Sequence, residues 1–425
     1  MSGLRRLGSV SERWPQVALG EVANLDVERV AVASGEIYRI AGVLNAGRGL
    51  FARDEIDGAS TNYSVLHRLR RGQLVMRKLT AWEGPITVVP QDFDGYFVSS
   101  EFPTFTLDNG KIEPDFMRLV CQTPKLWEAM KGTSTGTVQR RKRVNPAALL
   151  AIKIDLPPLH EQRRIADLMR AVDVSLERAA VQGKRIRALG RSLRANVFEP
   201  RDDWERVRAS DAMEITMGRQ RSPKHMHGDH LVPYLRAANV KDGRLILEDV
   251  LAMHFTPAEQ ATFALTSGDV LVTEGCGSLS EIGASAQWHE EREGTVCFQN
   301  TLLRLRAHEQ VTRPEFVHQW ARWAYESGQF ADIASGTNIF HIGSTRAASM
   351  DVPVPPLTDQ DRLVASLVAS DAVVKRAERY LEAMKELRRA TLHAFLSATT
   401  EIGALYDRFL EEQGGSAPTA LAVAA

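Results

Sequence analysis

The sequence predicts an α+β chain in which two repeated mixed α/β domains are separated by an antiparallel pair of long helices forming a coiled coil. Three observations carry this. A diproline motif occurs twice, as Pro157-Pro158-Leu159-His160-Glu161-Gln162-Arg163 and as Pro355-Pro356-Leu357-Thr358-Asp359-Gln360-Asp361-Arg362. Each copy opens a long run of apolar residues at three- and four-residue spacing, as a helix with one buried stripe requires. The stretches ahead of the two copies match one another at landmarks about 190–200 residues apart, a period set by a whole domain plus a helix.

Residues 1–13 form a leader without a clear pattern. From Trp14 onward, short apolar stretches alternate with Gly, Pro, Asn and Asp, which favours β structure. Strands are expected within Gly35–Val43, Arg71–Lys78, Pro85–Val89 and Ala151–Leu156. A helix is expected over Pro114–Met130, kinked at Pro124. A basic turn follows, Gln139-Arg140-Arg141-Lys142-Arg143.

After the first diproline, Ile165, Leu168, Met169, Val172, Leu176, Ala179, Ile186, Leu189, Leu193 and Val197 mark a helix ending before Pro200. At 1.5 Å per residue, roughly 38 residues span about 57 Å. Gly183 and Gly190 weigh against unbroken regularity.

The pattern restarts at Trp204. Trp14-Pro15-Gln16-Val17 matches Trp204-Glu205-Arg206-Val207, Gly72-Gln73-Leu74-Val75 matches Gly268-Asp269-Val270-Leu271, and Glu113-Pro114-Asp115-Phe116 matches Arg313-Pro314-Glu315-Phe316. The second long helix should run from Thr358, capped with Asp361, to about Ser397. Its expected seam is Leu363, Leu367, Val374, Ala377, Leu381, Met384, Leu387, Thr391 and Phe395. A short amphipathic piece with Ile402, Leu405, Phe409 and Leu410 follows, and the Ala/Gly/Pro-rich end reads as disordered. The expected division is residues 1–156 and 201–354 for the two globular domains, 157–200 and 355–400 for the long helices, and 401–425 for the short helix and tail.

The bulk numbers narrow the class. The chain has 425 residues, 44% hydrophobic and 25% charged, with Lys plus Arg balanced against Asp plus Glu at 53 each. It is not a bulk polycation, so any grip on nucleic acid must come from local patches or a basic partner. Cys121, Cys276 and Cys297 form no CxxC pair, and no apolar run is long enough for a bilayer. A cytoplasmic protein away from membranes is the expectation. Catalytic motifs are sparse. There is no P-loop and no Asn-Pro-Pro-aromatic motif, and Gly47-Arg48-Gly49 and Gly275-Cys276-Gly277 lack a strand–helix frame. No cofactor is expected. His225-Met226-His227-Gly228-Asp229-His230 has a spacing that can bind zinc, so a metal-dependent hydrolase is one alternative reading, and a coiled-coil scaffold binding proteins is another.

The duplicated diproline motif, with Pro233-Tyr234-Leu235-Arg236-Ala237-Ala238-Asn239-Val240-Lys241-Asp242-Gly243 at the start of the second half, resembles the specificity subunit of type I restriction–modification systems. The resemblance extends over roughly Trp14 to Ser397. The second copy departs from it with Asp359 for Glu and Asp361 for a basic residue. The resemblance implies a non-catalytic DNA-binding subunit with two target-recognition domains. Each would read one half of a bipartite double-stranded DNA sequence. The long helices would hold the domains apart and dock two methyltransferase subunits, with restriction/motor subunits joining the assembly.

Candidate DNA-contacting residues follow from residue type, since Lys and Arg grip phosphates while Arg, Asn, Gln, Ser and Thr can read base edges. The densest site is Thr135, Thr137, Gln139, Arg140, Arg141, Lys142 and Arg143; its counterpart in the second half holds Thr337, Asn338 and His341. A second loop with Arg77 and Lys78 matches one with Ser278. Further candidates are Arg219, Arg221 and Lys224, with Arg236 and Asn239 as readers of purine edges. Glu161, Gln162, Arg163 and Gln360, in the repeated motif, are the candidate partner-binding residues.

Overall fold

The computed structural model describes residues 14–134, 142–199, 204–223, 226–397 and 402–412. It divides into two compact units. One comprises residues up to Arg178 together with those from Glu382, and the other comprises Ala179–Leu381.

In the first unit, four antiparallel strands lie in the order Ile86–Val88, Leu74–Met76, Thr104–Leu107, Ala23–Leu25. In the second, the order is Ser285–Gln287, Val270–Thr273, Leu302–Ala307, Met213–Met217. The two sheets have one topology, so the repeat read from sequence is a repeat of fold. Each sheet carries a helix opened by proline, Pro114–Val120 or Pro314–Glu326, whose Phe116 or Phe316 is fully buried. Proline suits this first position because the N–H it lacks would have no partner there. Each domain closes by pairing its first strand with its last, immediately before the diproline: Gln16–Ala18 with Lys153–Asp155, and Glu205–Arg208 with Asp351–Val354.

The expected helix over Pro114–Met130 is instead two helices, Pro114–Val120 and Pro124–Gly132. Pro124 cannot donate to the preceding turn, and its ring would crowd that turn's carbonyl. The chain therefore restarts there, with the Thr123 hydroxyl accepting the Leu126 N–H.

The long helices are Leu159–Phe198 and Leu357–Leu396, 40 residues each and helical throughout. In each unit taken alone their segments pair antiparallel. In the first unit, Arg388 donates to Asp173, and Tyr406 of the following helix Ile402–Glu412 donates to Asp167 at 3.1 Å. In the second, Arg187 meets Glu378 at 2.5 Å and Arg194 meets Asp371 at 2.6 Å. Gly190 does not break its helix. A Cβ there would lie 3.3 Å from Ser370 Oγ and 3.4 Å from Val374 Cγ2, so the glycine allows close approach of the opposite helix. The expected seam fails at Leu387, which is 56% exposed, because Arg388 turns inward to Asp173 and Gln122.

The helix ends are built into the domain cores. Ile165, Met169, Leu392 and Phe395 join the first domain's main core, and Val197, Phe198 and Leu367 join the second's. The second unit adds a buried charge network. Arg194, 2% exposed, donates to Gln319 at 2.8 Å, to both oxygens of Glu326 and to Asp371. Arg322 donates to the other Asp371 oxygen at 2.6 Å and to Asp242 at 3.2 Å. Burial alone would raise the Asp371 pKa, but Arg322 and Arg194, with the Gln319 amide, outweigh it and hold the carboxyl below its usual range.

Candidate nucleic-acid interface

Two pairs of loops, one pair in each unit, gather most of the candidates among the described residues. In the first unit Lys78–Thr80 runs beside Lys142–Val144: Thr80 N–H donates to Lys142 O at 3.1 Å, Val144 N–H to Lys78 O at 3.1 Å, and Leu79 bridges Arg143. Lys78 and Lys142 are half-buried, whereas Arg143 is exposed and pairs with Glu101 at 3.2 Å. In the second unit Gly275–Cys276 pairs with Phe340–His341, which brings Ser278 to the loop holding Thr337 and Asn338. Thr337 and Asn338 are exposed. His341 Nδ1 lies 3.1 Å from Oε2 of the buried Glu274. The two loop pairs occupy equivalent places in the repeat but differ in chemistry, cationic in one and hydroxyl, amide and imidazole in the other. Thr135, Thr137, Gln139, Arg140, Arg141 and Lys224 lie outside the described residues, as does His225.

Several candidates are structural instead. Arg77 turns inward, donating to Leu79 O at 3.0 Å, Asn45 Oδ1 at 3.0 Å, Thr80 Oγ1 at 2.7 Å and Glu83 Oε2 at 3.3 Å. These bonds through Nε and Nη2 anchor its loop. Arg219 is buried against Phe255, paired with Glu259 at 2.8 Å and donating to the His254 carbonyl. Asn239 is 1% exposed. Its Oδ1 accepts from Arg236 N, and its Nδ2 donates to Ile246 O and Asp249 O, which corrects the expectation that it reads a purine. Arg236 is tied to Asp249 at 2.5 Å. Arg221 remains exposed.

The repeated glutamines require the largest correction. Gln162 and Gln360 are both fully buried and make the same three bonds. Gln162 Nε2 donates to Lys111 O at 3.0 Å and Pro157 O at 2.8 Å, and its Oε1 accepts from Glu113 N at 2.8 Å. Gln360 Nε2 donates to Val311 O and Pro355 O, both at 2.9 Å, and its Oε1 accepts from Arg313 N at 2.8 Å. Each glutamine therefore clamps the start of a long helix to the turn that begins the helix on the sheet. Neither can contact a partner chain. Arg163, exposed, pairs with Glu113 at 2.5 Å, and in the second half Asp361 pairs with Arg313 at 3.1 Å. The Asp at 361 is thus a reversal of both charges of one pair, and it does not cap the helix start with Thr358 as expected, since the helix already begins at Leu357. Glu161 pairs with Arg164 on its own helix.

Around the histidine cluster, His227 and Asp229 are exposed and His230 stacks on His254 with ring centroids 5.8 Å apart. Among the described residues no group of three or more His, Cys, Asp or Glu side chains is placed to hold a metal ion. Among them, too, no helix is long and apolar enough to cross a membrane.

Comparison with known proteins follows the same lines. Residues 79–182 match the family model for the type I restriction modification DNA specificity domain. The chain is 23% identical over 191 residues to the type I restriction enzyme StySPI specificity subunit of Salmonella potsdam, covering 44% of this chain and 40% of that protein. It is 23% identical over 193 residues to the EcoKI specificity subunit of Escherichia coli strain K12, covering 42% and 38%. The match thus spans about 40% of the length of these curated relatives. A solved chain from work on complex assembly and conformational transition of the type I R-M system has the same fold, with TM-score 0.65, 20% identity and coverage of 92% of this chain and 99% of that one. In its matched domain and in its fold the chain is thus similar to the specificity subunits of type I restriction–modification systems.

Proposed function

We propose that this chain is the non-catalytic DNA-reading subunit of a type I restriction–modification complex. Residues 1–156 and 201–354 act as target-recognition domains, each reading one half of a bipartite duplex target. The long helices set the unread gap between the halves and dock two methyltransferase subunits, and restriction/motor subunits join the assembly. The observation that carries this reading is one framework used twice with different loops. Lys78, Lys142 and Arg143 stand where the second half has Ser278, Asn338 and His341. A scaffold conserved between halves with altered loop chemistry suits two readers of unlike sequences, because framework and base contacts are separate tasks. Two readers at a fixed separation contact two short tracts and leave the bases between unread.

Docking is supported by apolar side chains on the second long helix. Val373, Tyr380 and Leu387 recur every seven residues and are each more than half exposed. Such a stripe at coiled-coil spacing suits a partner helix. The test is selection of duplexes from a randomised pool by the chain purified with its methyltransferase subunits. The proposal expects a split motif with a constant unread gap. Enrichment of a single continuous motif, or of none, would refute it.

A further inference from the structure

Resting on the reading above, we infer that Ile339 is a specificity-determining residue of the second domain, packing on the C5-methyl group of a thymine in the major groove of that domain's half-site. The loop that carries it is built rather than loose. Ser335 and His341 exchange backbone hydrogen bonds at 3.0 and 2.8 Å, closing a hairpin over Gly336-Thr337-Asn338-Ile339-Phe340. Gly336 has φ +131°, and a Cβ there would fall 2.0 Å from Ile339 O, so only glycine permits the turn. The base of the hairpin is held from both sides. Glu274 meets His341, and Arg346 donates to Ser335 Oγ at 2.9 Å and His341 O at 2.7 Å.

On this anchored frame the hairpin presents an isoleucine that is 56% exposed, between exposed Asn338 and half-buried Phe340. Leu279, on the loop paired with it, is 46% exposed. A β-branched side chain has little rotamer freedom, so holding it in water loses the hydrophobic gain without an entropic return. Such a group gains by meeting an apolar surface. The apolar group that sequence-dependent DNA offers in the major groove is the thymine methyl. An apolar wedge in the minor groove is the other use of such a residue, but wedges unstack bases at a cost of a few kcal/mol and work beside cationic side chains. Residues 335–341 include neither Lys nor Arg, and the Arg346 guanidinium at the base of the hairpin is engaged by Ile342 O, Ser335 Oγ and His341 O. Asn338, next to Ile339, can pair with the adenine of an adjacent step.

The experiment uses the chain with its methyltransferase subunits and the duplex selected from the random pool. Each thymine of the half-site assigned to residues 201–354 is replaced in turn by deoxyuridine, which lacks only the methyl group. One position should weaken binding of the native complex about fourfold, the factor expected for one buried methyl. The same replacement should leave an Ile339→Ala complex unchanged, and that variant should bind the thymine duplex as weakly as the native complex binds the uracil duplex. No sensitive position, a sensitivity that Ile339→Ala retains, or a half-site without an A·T pair would overturn the inference while leaving bipartite reading intact. So would an Ile339→Ala complex weakened equally on thymine and uracil duplexes with the native complex indifferent to the methyl, the signature of a wedge. Failure to enrich any split sequence would overturn both readings.

Discussion

Replacing either repeated glutamine tests the clamp at the start of each long helix. In Gln360→Ala, one backbone N–H (Arg313) and two carbonyls (Val311 and Pro355) lose their partner at a site with no exposed surface. An unsatisfied buried donor costs about 1–3 kcal/mol. The carbonyls add less, because each keeps a second lone pair for other donors. The sum is roughly 3 kcal/mol, which for a unit of this size lowers the unfolding midpoint by about 6–12 °C. Gln162→Ala should cost a similar amount, since its three bonds are the same. Gln360→Met separates hydrogen bonding from volume. It fills the space and should still lose most of the stability. The adjoining pair Arg313–Asp361 is the internal control: both side chains are more than a third exposed, so Asp361→Asn should change stability by under about 1 kcal/mol. The assay is thermal or urea unfolding of the purified chain, with hydrogen exchange at residues 311–320 to localise the effect. A Gln360→Met variant as stable as the native chain would show that the glutamine is not a clamp.

Other variants test the remaining structure. Arg194→Ala leaves Glu326 without its main partner and Asp371 with Arg322 and Gln319 alone, and should cost about 3–5 kcal/mol, read by the same unfolding assay; a cost below 1 kcal/mol would contradict the network. His318, beside that network, has its pKa pushed down to about 3, first by burial and then by Arg322 and Arg194. The unfolded chain therefore binds the proton more readily, and the His318 contribution is complete above pH 6.5 and is lost as pH falls from there toward 3. The slope is at most about 1.4 kcal/mol per pH unit, and His318→Gln should flatten it; an unchanged stability profile over that window would refute the assignment. Lys78→Ala and Lys142→Ala should each weaken DNA binding and reduce the slope of log affinity against log salt by about 1, measured by titration at several salt concentrations. An unchanged affinity and salt slope would mean that this pair of loops does not touch DNA.

The architecture was legible in the sequence because its signals are local or repeated. Prolines mark the helix starts, three- and four-residue periodicity marks the long helices, and the matched landmarks mark the second domain. The glutamine clamp was not legible, since a polar residue in the first turn of a helix looks like a solvated one. Its burial depends on backbone groups 47–51 residues earlier. One signal was present, the pairing of each glutamine with a Glu113- or Arg313-type position across both halves. The same pairing explains Asp361, which reads as a departure only when Arg313 is left out. Asn239 and Arg219 show the limit of assigning DNA contact by residue type, because their polar groups are spent inside the second domain. Gly190 looked like a helix breaker until the opposite helix supplied the reason for its small size. Leu387 fits the seam by spacing, but Arg388, with Asp173 to pair with, takes the inward place.

The most direct test is exchange of residues 204–350 for the corresponding domain of a homologous chain, followed by selection of duplexes with the methyltransferase subunits present. Independent readers on paired helices require that one half-site changes while the other half-site and the gap stay as they were. A change in both halves, or a preserved target, would contradict the account.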